Sequence, residues 1–184
     1  MKKLILLSAF LLSAFLLSVS SFYGCLIFNK MSYTINIDKD TTGSAVVVVS
    51  DIRSDASKSS DLEDDKKNLF TYIYKSPEFL DQMKDEGKIF TKRELFLRGD
   101  TLCGRASFTF KSISNVEKIM YEDGFYFLTL TLDDSVLTTN GQIIYSKDRK
   151  RILWDNSFKQ LKFEILGNAY DNDQYTKIAS FFKP

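Results

Sequence analysis

The sequence of 184 residues contains no histidine, two cysteines and two prolines. The absence of histidine excludes a Ser-His-Asp triad, an HExxH zinc motif and any imidazole acid or base. With only Cys25 and Cys103, the chain has no disulfide framework. Its 25 basic and 24 acidic residues leave a net charge of +1, which gives no electrostatic reason to expect nucleic-acid binding. Glycine-rich phosphate loops, CxxC pairs and nucleophile elbows are also absent.

The N-terminal segment is the most informative part of the chain. Met1-Lys2-Lys3 precedes an uncharged run over residues 4–28, in which LLSAF occurs twice. A short basic region before an apolar run is typical of a secretory signal. We therefore predict a signal or anchor segment over 1–25, a short tether over 26–30 and a single domain over 31–184. A tether of five residues reaches at most roughly 18 Å, which would hold the domain close to the bilayer.

Three fates of this segment remain open. In the preferred one, Cys25 is the lipidated residue of a bacterial lipoprotein, because residues 21–24 (SFYG) place a small residue directly before it. Alternatively, signal peptidase cuts after Ser20, with Ser18 and Ser20 as the small residues it requires. In the third, the segment stays uncut as a single-pass anchor, because 25 uncharged residues span roughly 37 Å as a helix. All three export the domain from the cytoplasm, the second of them as a soluble secreted protein.

Hydrophobic periodicity predicts an α+β fold for the exported domain. Residues 31–37 alternate between apolar and polar side chains. Residues 45–49 include four consecutive valines, which indicates a central strand covered on both faces. These two segments are predicted to form a hairpin. Further strands are predicted over 88–98, 101–111, 125–132, 135–139, 142–146, 151–154 and 161–166.

Turn and cap signals complete the predicted fold. Asn140-Gly141 is the best two-residue hairpin signal. Helices are predicted from a capping box at 60–63, from Pro77, at 114–117 and over 171–182. The expected architecture is mainly antiparallel sheet of about seven to nine strands with three or four helices packed on it.

Candidate catalytic and metal sites have simpler structural explanations. Residues 38–43 read as a polar turn between strands, although they superficially resemble a calcium loop. Residues 171–173 and the acidic run at 61–65 suit helix starts, where carboxylates are favourable. Cys103 has no histidine to activate it and is expected to be an unpaired residue of a strand. We therefore expect no catalytic residue, metal or cofactor.

A basic patch near the C-terminal third is the one candidate surface site. Lys147, Arg149, Lys150 and Arg151 could contact anionic lipid headgroups or glycans, or simply form a charged hairpin turn. Trp154 lies beside them in the sequence and is grouped with this possible contact, although core or edge packing is its simpler explanation.

The layout of the whole chain resembles that of a protein family. The relevant features are a leucine-rich signal ending near Cys25, the turn at 38–43, the strand at 102–110, Thr139-Asn140-Gly141, and residues 152–155 before the strand at 161–165. This layout resembles that of small bacterial envelope lipoproteins, including those with LppM-like domains. The resemblance implies a lipid-anchored α+β domain without assigned enzymatic residues.

Together these observations give three functional hypotheses. The first is a non-enzymatic envelope lipoprotein that binds a protein or ligand partner at the membrane surface, on the periplasmic or the outer side. The second is a lipid or glycolipid carrier that uses an apolar cavity under the strand at 125–132 together with basic residues 147–151. The third is a wall or glycan hydrolase, which requires two carboxylates facing one cleft.

Overall fold

The computed structural model describes residues 26–38, 41–167 and 174–183. In these residues, eleven strands form two antiparallel sheets. The strands are β1 (Leu26–Ile37), β2 (Gly43–Ser54), β3 (Lys88–Arg98), β4 (Thr101–Phe110), β5 (Met120–Glu122), β6 (Phe125–Leu130), β7 (Val136–Thr139), β8 (Gln142–Tyr145), β9 (Lys150–Asp155), β10 (Gln160–Leu166) and β11 (Thr176–Lys177). The helices are α1 (Ser59–Lys67) and α2 (Pro77–Asp85), with a π-helix at Asn68–Ile73 and short 3-10 turns at Ile113–Asn115 and Ile178–Phe181.

This architecture confirms the α+β class and the antiparallel sheet. The counts are wrong: the described residues hold eleven strands where about seven to nine were expected, and two α-helices instead of three or four. The extra strands are short ones, and two of the expected helices are only 3-10 turns.

The larger sheet has seven strands in the order β3-β4-β2-β1-β10-β7, with β11 paired to β2. The predicted β1–β2 hairpin and its valine-rich central strand are confirmed. Coverage of both faces is wrong, because Val47 is buried whereas Val46 and Val48 are only half-buried. The neighbours of Val46 and Val48 across the sheet include Ser107 and Arg105, so this outer face is largely polar.

The second sheet has four strands in the order β5-β6-β9-β8. Its inner face packs on one half of the larger sheet to form the main core, where Tyr33 stacks on Phe163 with ring centroids 4.7 Å apart. The β5–β6 hairpin is closed by Asp123 and Gly124, with φ of 51° and 81°. Positive φ at both central residues is the requirement of the type I′ hairpin turn.

The predicted hairpin at Asn140-Gly141 is wrong. β7 pairs with β10 in the larger sheet, whereas β8 pairs with β9 in the second, so these two residues carry the chain from one sheet to the other. Asn140 Oδ1 accepts hydrogen bonds from Trp154 Nε1 (2.8 Å) and Lys162 N (2.7 Å). Glycine is needed next to it because a Cβ on Gly141 would lie 2.6 Å from Trp154 Nε1.

Residues 26–30, expected to be a tether, are instead the first part of β1. Leu26 pairs with Ser54, and Ile27 pairs with Arg53. Leu26 and Ile27 are both buried, and Leu26 packs with Ile52 and other apolar residues in a second, smaller core. Burial of these apolar side chains stabilises the strand up to the boundary with the N-terminal segment.

The helical segment between β2 and β3 (residues 59–85, comprising α1, the π-helix and α2) agrees in part with the sequence-based prediction. The predicted capping box does not form, because Lys58 occupies the N-cap position of α1 and Ser60 Oγ donates to Asp61 Oδ1 (3.0 Å). α2 begins as predicted, with Ser76 Oγ accepting from Phe79 N (3.2 Å) and proline in the first turn. The segment ends at Gly87, whose φ of 82° suits glycine.

The helix predicted over 171–182 is wrong for the residues that the structure describes, and residues 171–173 lie outside them. Thr176 and Lys177 are extended and pair with Ser54 and Arg53 of β2. A 3-10 turn follows, in which Ile178 is buried in the smaller core. The helix predicted at 114–117 is likewise only the 3-10 turn Ile113–Asn115.

Candidate functional site

An apolar cavity of about 110 Å³ lies between the larger sheet and the helical segment. Its lining is almost entirely hydrophobic, with contributions from β1 to β4 and from the helical segment. The principal lining residues are Phe28, Met31, Val47, Val49, Ile52, Ile73, Tyr74, Phe79, Phe90, Arg93, Leu95, Gly104 and Ala106. Phe28, Phe90 and Leu95 are only half-buried, so the cavity opens toward the surface.

The backbone of β2 turns additional apolar side chains into this cavity. Val49 and Ile52 both line it, although residues three apart in a regular strand point to opposite faces. Between them, Asp51 has a φ of 56°, which breaks the alternation. Asp51 is held by Arg53, whose Nη2 and Nε lie 2.7 and 3.1 Å from its Oδ2.

Gly104 leaves open space in the sheet wall of the cavity. A methyl group at this position would lie 3.5 Å from Ile52 Cδ1 and 3.6 Å from Leu95 Cδ2, which are ordinary van der Waals distances. The space that a side chain at Gly104 would fill is therefore part of the cavity. Glycine inside a strand often marks such a position.

Arg93 fixes the helical wall of the cavity, which consists of Ile73, Tyr74 and Phe79. Arg93 Nη1 donates to the carbonyl oxygens of Ile73 (2.6 Å) and Ser76 (3.3 Å), and its Cζ lies 5.7 Å from the ring centroid of Phe79. The first carbonyl belongs to the last residue of the π-helix, where backbone partners are missing, and the second belongs to the N-cap residue of α2. Burial lowers the pKa of the Arg93 guanidinium from its ordinary value.

The expected cavity under the strand at 125–132 is wrong in its position. Tyr126, Leu128 and Leu130 of β6 are buried in the main core, packed with Ile152 and Trp154. The apolar cavity lies instead beside β3 and β4. The prediction of a strand here is confirmed by β6, but the aromatic and leucine-rich sequence does not distinguish a filled core from a cavity.

The basic patch is divided by the structure. Lys147, Arg149 and Arg151 are exposed, and the Arg151 guanidinium lies 4.7 Å from the ring centroid of Phe127. The predicted surface role is wrong for Lys150, which is buried with its Nζ donating to Leu132 O (2.8 Å). It is also wrong for Trp154, which is 1% exposed because its indole packs between the two sheets.

A second pocket, about 350 Å³ and mixed in polarity, lies beside the link between the sheets. Asp155 is the one carboxylate in its lining, as Glu94 is in that of the apolar cavity. Neither pocket therefore brings together the carboxylate pair that a glycoside hydrolase uses. In the described ranges, no three Cys, Asp or Glu side chains lie close enough to hold a metal ion.

The buried carboxylates serve the fold. Asp51 is paired with Arg53, and Asp65 Oδ2 accepts from Ser54 Oγ at 2.5 Å. Burial raises the pKa of Asp65, while the hydrogen bond from Ser54 partly opposes the shift. Neither carboxylate lines the two pockets described above.

The residues of the predicted anchor lie outside the described part of the chain. This includes Cys25, so its lipidation stays a prediction. Cys103 is buried and unpaired, as expected. Among the described residues, no helix has the length and hydrophobicity needed to cross a bilayer.

No protein-family model, curated protein or solved structure matches this chain. The resemblance to envelope lipoproteins with LppM-like domains therefore stays a prediction.

Proposed function

We propose that this protein is a membrane-attached protein of the bacterial envelope that binds an acyl chain in the cavity between the larger sheet and the helical segment. The observation that carries this proposal is the apolar cavity of about 110 Å³. Apolar cavities of about 150 Å³ stay dry and bind small apolar molecules such as benzene. A cavity of comparable size would accept the end of an acyl chain, with the rest of the ligand lying across its mouth.

The position of the cavity supports a ligand drawn from a membrane. Residues 1–25 are the predicted anchor, and β1 begins at Leu26, which itself lines the cavity together with Ile27 and Phe28. If Cys25 carries a lipid, Leu26 of the cavity lining is the next residue in the chain. Binding would then take place within reach of the bilayer, where acyl chains are abundant.

The exposed basic turn between β8 and β9 is part of the second sheet, and its position relative to the start of β1 follows from β10 and Lys150. β10 places Leu166 opposite Lys30 in the first half of β1, and Ser135 O accepts a hydrogen bond from Leu166 N (2.8 Å). The start of β9 is tied to this region, because Lys150 Nζ donates to Leu132 O (2.8 Å). The turn just before Lys150 therefore lies toward the end where the predicted anchor leaves the sheet.

Lys147 and Arg149 in this turn, with Arg151 in β9, are the accessible residues of the proposed headgroup contact. Arg149 is paired with Asp148 (3.2 Å) at the exposed surface, where an ion pair contributes little. Because this turn lies toward the end of the larger sheet where the predicted anchor begins, these three cations would contact anionic lipid headgroups.

The proposal is tested by mass spectrometry of the full-length protein after gentle extraction from membranes. Under native conditions we expect the mass of a bound lipid, and under denaturing conditions we expect that mass to disappear. A lipid attached covalently to Cys25 would remain in both spectra, so the two kinds of lipid are distinguished.

A matched pair of variants of β4 localises the ligand. Gly104→Leu adds a side chain directed into the cavity and should abolish the bound lipid. Thr109→Leu adds apolar bulk to the exposed position of the same strand and should leave it bound. Lipid retention by Gly104→Leu, or a wild-type protein that never carries lipid, would contradict the proposed site.

A further inference from the structure

We propose that Arg93 recognises the head of the bound ligand, and that the ligand class is an acyl-chain amphiphile with an anionic head. The inference rests on the proposed acyl-chain site and adds the chemistry of the ligand's polar end.

Arg93 occupies the position that such a head would contact. It lines the cavity from β3, opposite Ala106 of β4, and its bonds to Ile73 O and Ser76 O hold its guanidinium beside the helical wall. Both bonds are made by Nη1. A guanidinium has five N–H donors. The donors of Arg93 on Nε and Nη2 have no acceptor among the described residues.

The charge of Arg93 is not balanced by any carboxylate of the described chain. Its neighbour Glu94 is engaged elsewhere, with Oε1 2.6 Å from Lys92 Nζ and Oε2 3.5 Å from Arg105 Nη1. The hydrogen bond from Lys92 holds the pKa of Glu94 below its ordinary value. A half-buried guanidinium without a counter-ion at the edge of an apolar cavity is therefore ready to receive an anion.

The combination of an apolar wall and one cation without a carboxylate partner defines the ligand, since Arg105, the other cation of the lining, is paired with Glu94. The tail gains by leaving water for the cavity, whereas the head gains from charge-assisted hydrogen bonds with the guanidinium. Carboxylates and phosphates both match the planar donor fork of arginine. A neutral alcohol head would leave the cation without compensation.

The inference is tested by calorimetric titration of the full-length protein, in one mild nonionic detergent, with decanoate, decyl phosphate and decanol. Because a hydrogen bond to a charged group contributes about 1.5–3 kcal/mol, we expect an anionic ligand to bind about ten- to a hundredfold more tightly than decanol. Comparison of decanoate with decyl phosphate shows which anionic head is preferred.

Two variants with the same loss of charge complete the test. Arg93→Gln removes the charge while keeping a polar side chain and should bind decanoate and decanol equally. Lys75→Gln removes an exposed charge beside the helical wall, from a residue that does not line the cavity, and should keep the preference. Equal binding of all three ligands by the wild type, or an unchanged preference in Arg93→Gln, would overturn the role of Arg93 while leaving the acyl-chain site intact. Failure of all three ligands to bind would refute both.

Discussion

Adding one methyl group at Gly104 should stabilise the protein, because the structure provides space for it. Replacing glycine by alanine inside a strand contributes about 0.5–1 kcal/mol through the unfolded chain. Burying the added methyl contributes about 0.8 kcal/mol more. The nearest atoms would lie 3.5 Å or more away, so no overlap opposes these gains. Gly104→Ala should therefore raise the free energy of unfolding by about 1–2 kcal/mol.

Urea unfolding measures this change, with the fluorescence of Trp154 as the probe, since it is the one tryptophan of the chain and is buried. We expect a higher midpoint with an unchanged m value, and a rise in Tm of about 2–4 °C per kcal/mol. Gly99→Ala is the matched control: nothing lies within 4 Å of the added methyl, but a φ of 61° makes the residue strained. That variant should lose about 1 kcal/mol. Destabilisation by Gly104→Ala would show that the space is not available and would refute the cavity.

Three further predictions concern the link between the sheets, a buried acid and the anchor. Asn140→Ala should lower the free energy of unfolding by about 2–4 kcal/mol in urea, because it removes three hydrogen bonds and leaves the buried indole N–H of Trp154 unpaired. Burial raises the pKa of Asp65, so the native state keeps its proton to a higher pH than the unfolded chain does. The wild type therefore loses stability as pH rises from the ordinary pKa of an aspartate, about 4, through the raised one. Asp65→Asn does not titrate and should gain stability relative to the wild type over the same pH range. Cys25→Ala should abolish incorporation of labelled palmitate in cells.

Each of these predictions has a control. Asn156→Ala, at an exposed position, should change the free energy of unfolding by less than about 0.5 kcal/mol. If Asn140→Ala lost no more stability than Asn156→Ala, the role of Asn140 in the link between the sheets would be contradicted. A difference between Asp65→Asn and wild type that is constant with pH would contradict the raised pKa. Absence of palmitate in the wild type would leave cleavage after Ser20 or an uncut anchor as the explanation of the N-terminal segment.

Local patterns predicted the hairpins of the larger sheet because turn residues and alternating side chains agree there. They failed at Asn140-Gly141. Here the asparagine accepts a hydrogen bond from Trp154, and the glycine leaves room for the indole ring, so the dipeptide forms a contact between the two sheets instead of a hairpin turn. The hairpin with positive φ at both turn residues is Asp123-Gly124. Dipeptide propensity alone does not separate these two uses.

The C-terminal error has a different cause. Apolar residues at helical spacing, including Ile178 and Phe182, do reach the smaller core, but from an extended segment that pairs with β2 followed by a 3-10 turn. Pairing with a distant strand outweighed local helical periodicity. The spacing of apolar residues alone does not predict which of the two structures forms.

The candidate site was the least predictable feature. Its cavity depends on a missing side chain at Gly104 and on the left-handed conformation of Asp51, which brings Ile52 to the same side as Val49. An isolated glycine inside a strand pattern is a signal that the sequence does contain. The left-handed conformation of Asp51 and its ion pair with Arg53 belong to the folded chain, and the spacing of residues in the sequence does not indicate them.

The two-residue passage between β7 and β8 restricts how the molecule can open. With so little chain between the layers, and with Asn140 bonded to Trp154 on one side and to the backbone of β10 on the other, the sheets cannot swing apart without breaking these bonds. The apolar cavity is bounded by the larger sheet and the helical segment, so widening it requires displacement of the helical segment, whose π-helix is a geometry common at functional sites. In hydrogen exchange, amides of α2 should open with a lower free energy than those of β9 and β10.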